Sequence, residues 1–99
     1  MSESKRRIDV TMKVTDKLVK LSMILGGYGD NGAEKTARMY KEWMSETEGY
    51  ILSQFGNEKA EEFKNINSTR LQLNSADGIT QSSRLNIDYL QSLVEEYKG

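Results

Sequence analysis

Cysteine, histidine and proline are all absent from these 99 residues. Each absence excludes something. Without cysteine no disulfide can form. Without histidine there is no Ser–His–Asp or Cys–His nucleophile system. The usual zinc sites and the Glu-x-x-His pairs of di-iron bundles go with it. The absence of proline suits long uninterrupted helices. Long apolar runs are missing too: none approaches the roughly 18 residues that would span a membrane. Met1–Arg7 is charged and polar with no apolar run behind it, so no secretory signal is expected. A reducing, cytoplasmic location is the matching expectation.

Large aliphatic and phenylalanine residues are scarce. Leu, Ile, Val and Phe make up 21 of the 99 residues, just above the range in which chains stay disordered. The five methionines, the five tyrosines and the one tryptophan must then supply much of a core. The length predicts one domain over residues 1–99, frayed at about 1–5. Net charge is −1 but unevenly placed. Residues 1–20 hold six Lys/Arg against three Asp/Glu, and the remainder eight against twelve. A basic first segment lying on acidic later ones explains this, and so does a basic face for a partner.

Two patterns compete between Ile8 and Leu25. Ile8, Val10, Met12 and Val14 alternate with polar residues, as in a strand. Val14, Leu18, Leu21 and Leu25 recur at helical spacing. A helix organises the whole segment, because it also gathers Arg6, Lys13, Lys17 and Lys20 on one stripe. We therefore expect a first helix from about Ser4 or Lys5 to Leu25, with an apolar face wide enough for two neighbours. Gly26 or Gly27 should close it in the left-handed conformation. Asn31 should cap the next helix, with Glu34 completing a capping box.

The stretch Tyr40–Ile66 organises the remainder, since it holds Trp43, Phe55 and Phe63. The second helix is predicted from about Ala33 to Phe55, with Ala33, Ala37, Tyr40, Met44, Ile51 and Phe55 facing inward. Trp43 and Tyr50 fall a heptad apart on the shoulder of that face. Glu34–Arg38 has the spacing of a helical ion pair. Gly49 marks either a kink or a close backbone approach. Gly56 should stop the helix with a positive φ. Asn57 should cap a short third helix reaching Asn65 or Ile66, with Ala60 and Phe63 inward. Residues 67–81 show no helical period and read as an irregular loop, with a short strand over 69–74 as the alternative and Asp77-Gly78 as a turn. A last helix is predicted from Ser82 or Ser83 to Tyr97, with Leu90, Leu93, Val94 and Tyr97 buried. The fold class is all-α: a small bundle of three long helices and one short helix.

Few motifs carry chemistry. Gly27-Tyr28-Gly29-Asp30-Asn31-Gly32 matches G-x-G-x-x-G, but that motif holds a pyrophosphate only between a strand and a helix. Here a helix precedes it, so a helix–helix loop is expected and no cofactor. Ser2-Glu3-Ser4-Lys5 matches S-x-x-K at a terminus without a pocket. Asn67-Ser68-Thr69 is a glycosylation sequon without a secretory signal. Glu58, Glu61 and Glu62, and also Glu95 and Glu96, lie opposite apolar stripes and read as solvated faces, with no metal implied.

Two candidate sites remain. Trp43 and Tyr50 are core residues or, if exposed, the anchor of a protein interface, since aromatics dominate such contacts. Arg6, Lys13, Lys17 and Lys20 form a stripe that neutralises acidic helices or, alternatively, follows the phosphates of a nucleic acid or an anionic surface.

The order Trp43, Ile51-Leu52-Ser53-Gln54-Phe55-Gly56, a Glu-rich short helix with Phe63, Ile66, a loop and a terminal L-x-x-L-x-x-x-Tyr helix resembles small helical modules. These stand at the N-terminus of multidomain bacterial and phage-related proteins. The resemblance covers roughly Tyr40 to Tyr97. It implies an accessory, non-enzymatic role, namely self-association or recognition of a protein partner, and it transfers no functional residue.

Overall fold

The computed structural model describes residues 3–67 and 76–98, with side chains described over 8–67 and 77–96. These residues form four helices and no strand: α1 Glu3–Gly26, α2 Tyr28–Phe55, α3 Asn57–Asn67 and α4 Ala76–Lys98. The expected all-α bundle of three long helices and one short one is what forms. It measures 44 × 24 × 18 Å; the unbroken part of α2, residues 33–55, is itself about 35 Å long at about 1.5 Å per residue.

Successive helices pack as neighbours, and α4 returns to lie against α1. The helices thus form a closed ring, α1–α2–α3–α4, with α1 touching both α2 and α4 as its wide apolar face implied. Val10, Val14, Leu21 and Ile24 supply the α1 side of the core, and Leu90, Leu93 and Ile79 supply the α4 side. Ala60 and Phe63 face inward from α3, as their spacing predicted.

The helix junctions differ in detail from the sequence expectation. Gly26 and Gly27 do not take a left-handed conformation: Gly27 has φ −85 and ψ 0, and its N–H reaches back to the Met23 and Ile24 carbonyls. A single helical turn from Tyr28 follows. The chain breaks instead at Gly32, with φ 79 and ψ 171. Gly56 repeats that geometry with φ 97 and ψ 176. Among the described residues only these two have positive φ, and with ψ near 180° they occupy a region essentially reserved for glycine.

Gly56 therefore stops α2, as expected, but with an extended ψ. Its carbonyl accepts from the Ala60 N–H at 3.2 Å, so Gly56 rather than Asn57 occupies the capping position of α3. Gly27 caps only the turn from Tyr28, without a side-chain bond; the unbroken helix resumes at Ala33, as predicted, but after Gly32 and not directly after Asn31. Gly49 proves to be ordinary exposed helix. Its φ/ψ are helical, and an added Cβ would meet nothing within 4 Å.

The largest correction concerns the segment expected to be an irregular loop over residues 67–81. Helix α4 begins at Ala76 and so absorbs residues 76–81 of it. Ile79 is buried there and anchors the first turn of α4 in the core, while Asp77 places a negative charge at the helix N-terminus. The alternative strand at 69–74 lies outside the described residues.

Candidate interaction surface

Trp43 defines the inside of the molecule, and so defines the outside. Its exposure is 0%, which removes it as an exposed partner-binding anchor. The buried line of α2 runs through Thr36, Ala37, Tyr40, Trp43, Thr47 and Ile51, of which Ala37, Tyr40 and Ile51 were predicted to face inward. It is rotated toward Trp43 from the predicted face, and Met44 and Phe55 lie only half-buried at its edge. Two threonines on that line kept it from reading as apolar.

Trp43 stacks on Tyr40, with ring centroids 5.9 Å apart and 14° between planes. Its indole Nε1–H donates to the Lys17 carbonyl of α1 at 2.8 Å. Tyr50, the second predicted anchor, is half-buried and meets Phe55 edge-on at 6.5 Å. The two aromatics on the presumed shoulder therefore serve packing first.

Beside Trp43 the core carries a polar network. Tyr40 Oη and Ser82 Oγ share a hydrogen bond at 2.6 Å, and Asn86 Nδ2 donates to Tyr40 Oη. Burial pushes the Tyr40 hydroxyl pKa up, against the three polar neighbours Ser82, Ser83 and Asn86. Such a network fixes how α4 is set against α2, because any slip leaves a buried polar group unpaired.

A second polar cluster joins α3 to α4. Lys59 bridges Glu96 at 2.9 Å and Glu62 at 3.5 Å. Tyr89 Oη lies 2.9 Å from both the Lys59 carbonyl and Glu62 Oε1. Burial and the Glu62 carboxylate raise the Tyr89 hydroxyl pKa above the ordinary tyrosine range. The acidic residues of α3 and α4 thus contribute to packing as well as to a solvated face. No group of three or more His, Cys, Asp or Glu side chains among the described residues could hold a metal ion.

The basic stripe of α1 is only partly free. Lys20 Nζ sits 2.8 Å from Glu46 of α2, and that contact holds the Glu46 carboxyl below its usual pKa. This is the attraction between a basic first helix and an acidic later one that the charge asymmetry suggested. Lys17 is half-buried and Lys13 is exposed. The Arg6 side chain lies outside the described residues. Glu34 and Arg38 do approach, at 3.9 Å between exposed side chains, a contact of little energetic weight.

The surface feature that sequence reasoning missed lies on the far side of α1. Ile8, Met12, Val19 and Met23 are 61%, 62%, 53% and 72% exposed. At 100° per residue they fall within an arc of about 60°, roughly opposite Val10, Val14, Leu21 and Ile24. The alternation of Ile8, Val10, Met12 and Val14 was the available signal. In a helix, residues two apart lie about 200° apart, so such a run loads two opposite faces. Beside this stripe, Thr11, Val14, Thr15 and Leu18 line an open groove of about 380 Å³ against Gln91, Val94 and Glu95 of α4.

Among the described residues no helix is long and apolar enough to cross a membrane. No protein-family model, no curated protein and no solved structure matches this chain.

Proposed function

We propose that this protein is a non-enzymatic helical interaction module, acting through self-association or the docking of a protein partner, alone or as the accessory domain of a larger protein. The observation that carries this reading is the exposed stripe Ile8–Met12–Val19–Met23. Single exposed apolar residues are ordinary on any protein surface. Four aligned along one helix face, as the pairs Ile8–Met12 and Val19–Met23 on either side of Thr15 and Asp16, make an apolar stripe of the kind that marks interaction sites. The chain has few large apolar residues, yet among the described residues six are exposed, and four of the six fall on this one stripe, Leu52 and Leu85 standing apart from it. The alternative reading, binding to nucleic acid or an anionic surface through Arg6, Lys13, Lys17 and Lys20, gains no comparable support, since Lys20 is engaged by Glu46.

Sedimentation velocity across the micromolar range tests the proposal. The wild type should sediment faster as concentration rises. The variant Met12→Glu/Val19→Glu should stay monomeric with unchanged helicity and melting temperature. A wild type that is strictly monomeric throughout removes self-association. Undiminished association in the variant removes the stripe as its site.

A further inference from the structure

We propose that the exposed stripe of α1 pairs with the same stripe of a second copy, antiparallel, about a two-fold axis passing between Thr15 and Asp16. This rests on the reading of the protein as an interaction module and names its partner. The argument comes from the order of residues along the exposed face.

The four apolar residues are placed symmetrically about that point. Ile8 lies as far before it as Met23 lies after it, and Met12 and Val19 are related in the same way. An antiparallel two-fold therefore sets Ile8 opposite Met23 of the second copy and Met12 opposite Val19. A two-fold interface is self-complementary by construction, and this stripe has the required internal symmetry. A parallel pairing would set each residue against itself and use none of it.

The charges beside the stripe follow the same symmetry. Asp9, Lys13, Asp16 and Lys20 all lie on the same flank, and all four are exposed. When two helices pair antiparallel about a two-fold, each flank faces its own copy. Asp16 then lies beside Lys13 of the second copy, and Asp9 beside Lys20. Each pairing occurs twice, so opposite charges meet along the whole flank. Lys20 already holds Glu46 at 2.8 Å, so Asp9 would join an existing ion pair. Among the described residues Lys13 and Asp16 take part in no salt bridge, which makes theirs the cleaner pair.

The opposite flank is small and polar. Thr11, Thr15 and Ser22 lie there and permit close approach of the two helices. The contact spans residues 8–23, about 24 Å of helix. It belongs with small interfaces, below about 1,200 Å², and assembly in the micromolar range is expected.

The absence of cysteine allows a direct test, since any introduced thiol is the only one present. Under mild oxidation Thr15→Cys should form a covalent dimer efficiently, because the two thiols flank the axis. Met12→Cys/Val19→Cys should do the same. Ile8→Cys alone should not, because its two copies lie about 22 Å apart along the helix. In sedimentation, Asp16→Lys should weaken dimerisation about tenfold by placing like charges together. Adding Lys13→Asp should restore it to within about twofold of the wild type.

A dimer that links through Ile8→Cys but not Thr15→Cys overturns the antiparallel pairing and leaves self-association standing. A dimer that links through neither, or in which the charge swap fails to restore affinity, also overturns the pairing and places the contact elsewhere. A chain that remains monomeric and links in no variant overturns the second copy as occupant, and with it the self-association half of the proposed function.

Discussion

The Nε1–H of Trp43 donates to the main-chain carbonyl of Lys17 at 2.8 Å, joining the middle of α2 to the middle of α1. Lys17 occupies a core position in α1: Val10, Val14, Lys17, Leu21 and Ile24 follow the three–four spacing of a buried seam. A lysine can occupy that position because its stem can lie along apolar surface while its ammonium reaches solvent. The backbone at that point supplies the acceptor that the indole needs, since a buried Trp N–H without a partner is costly.

Trp43→Ala should accordingly cost about 3–5 kcal/mol, as large core truncations do. That is a large part of the stability of a small domain. Trp43→Phe keeps most of the packing and loses the hydrogen bond, so it should cost considerably less, with a bond contribution of about 1 kcal/mol. Urea denaturation of both variants beside Phe63→Ala checks this. Trp43→Ala and Phe63→Ala should prove comparably damaging.

Tyr40→Phe removes the hydroxyl that engages both Ser82 and Asn86. The loss should be about 1–3 kcal/mol, because both partners stay buried. Tyr40→Phe/Asn86→Leu should recover part of that loss, since an apolar pair leaves fewer buried polar groups unpaired. Chemical denaturation of the two singles and the double yields the coupling. Additive losses would contradict a shared network.

The glycines should respond with opposite signs. Gly32→Ala and Gly56→Ala force a side chain into a backbone region that only glycine enters easily, at a cost of about 1–3 kcal/mol. Gly49→Ala falls in exposed helix with open space around the new Cβ. It should stabilise by about 0.5–1 kcal/mol. Melting temperatures measured at one concentration and one pH settle all three.

Stability should fall on the alkaline side. Burial raises the Tyr40 and Tyr89 hydroxyl pKa values from the ordinary value of 10.0. Glu96 holds the Lys59 ammonium pKa above its usual value as well. A group whose folded pKa is raised contributes fully below its unfolded value and loses that contribution as pH rises through the folded one. The expected result is a fold insensitive to these groups below about pH 9–10 and increasingly unstable above it. Circular dichroism followed against phenolate absorbance should show unfolding and tyrosine ionisation together. Tyr89→Phe should make the decline above pH 10 shallower.

Much of the architecture was legible in the sequence. Apolar residues at helical spacing placed α1 and α3, and Gly56 announced the α2–α3 corner. The face of α2 was legible in part: Ala37, Tyr40 and Ile51 are buried as their spacing predicted, but Thr36 and Thr47 also stand on the buried line, and hydroxyl-bearing residues count as polar in any periodicity. Nor was the start of α4. Asp77-Gly78 reads as a turn when taken locally, but burial of Ile79 outweighs the weak helix propensity around it. The outer stripe of α1 escaped notice because its residues were counted toward the core. A hydrophobic residue in a sequence carries no mark of which side of its helix it will face.

The closed ring of helices has a consequence for how the protein is made. Residues near the N-terminus, Val10 and Val14, share their core with Leu90 and Leu93 of the last helix. The α2–α3 corner can form from neighbouring residues, whereas sealing α1 against α4 joins segments some 80 residues apart and carries the entropy of closing that long loop. Folding can therefore start from the middle of the chain and α1 can settle on α2, but the edge of α1 that faces α4 stays open until α4 has been synthesised and docks. A chain cut short before Leu90 would expose two apolar faces of α1 instead of one, and would be the form most prone to aggregate.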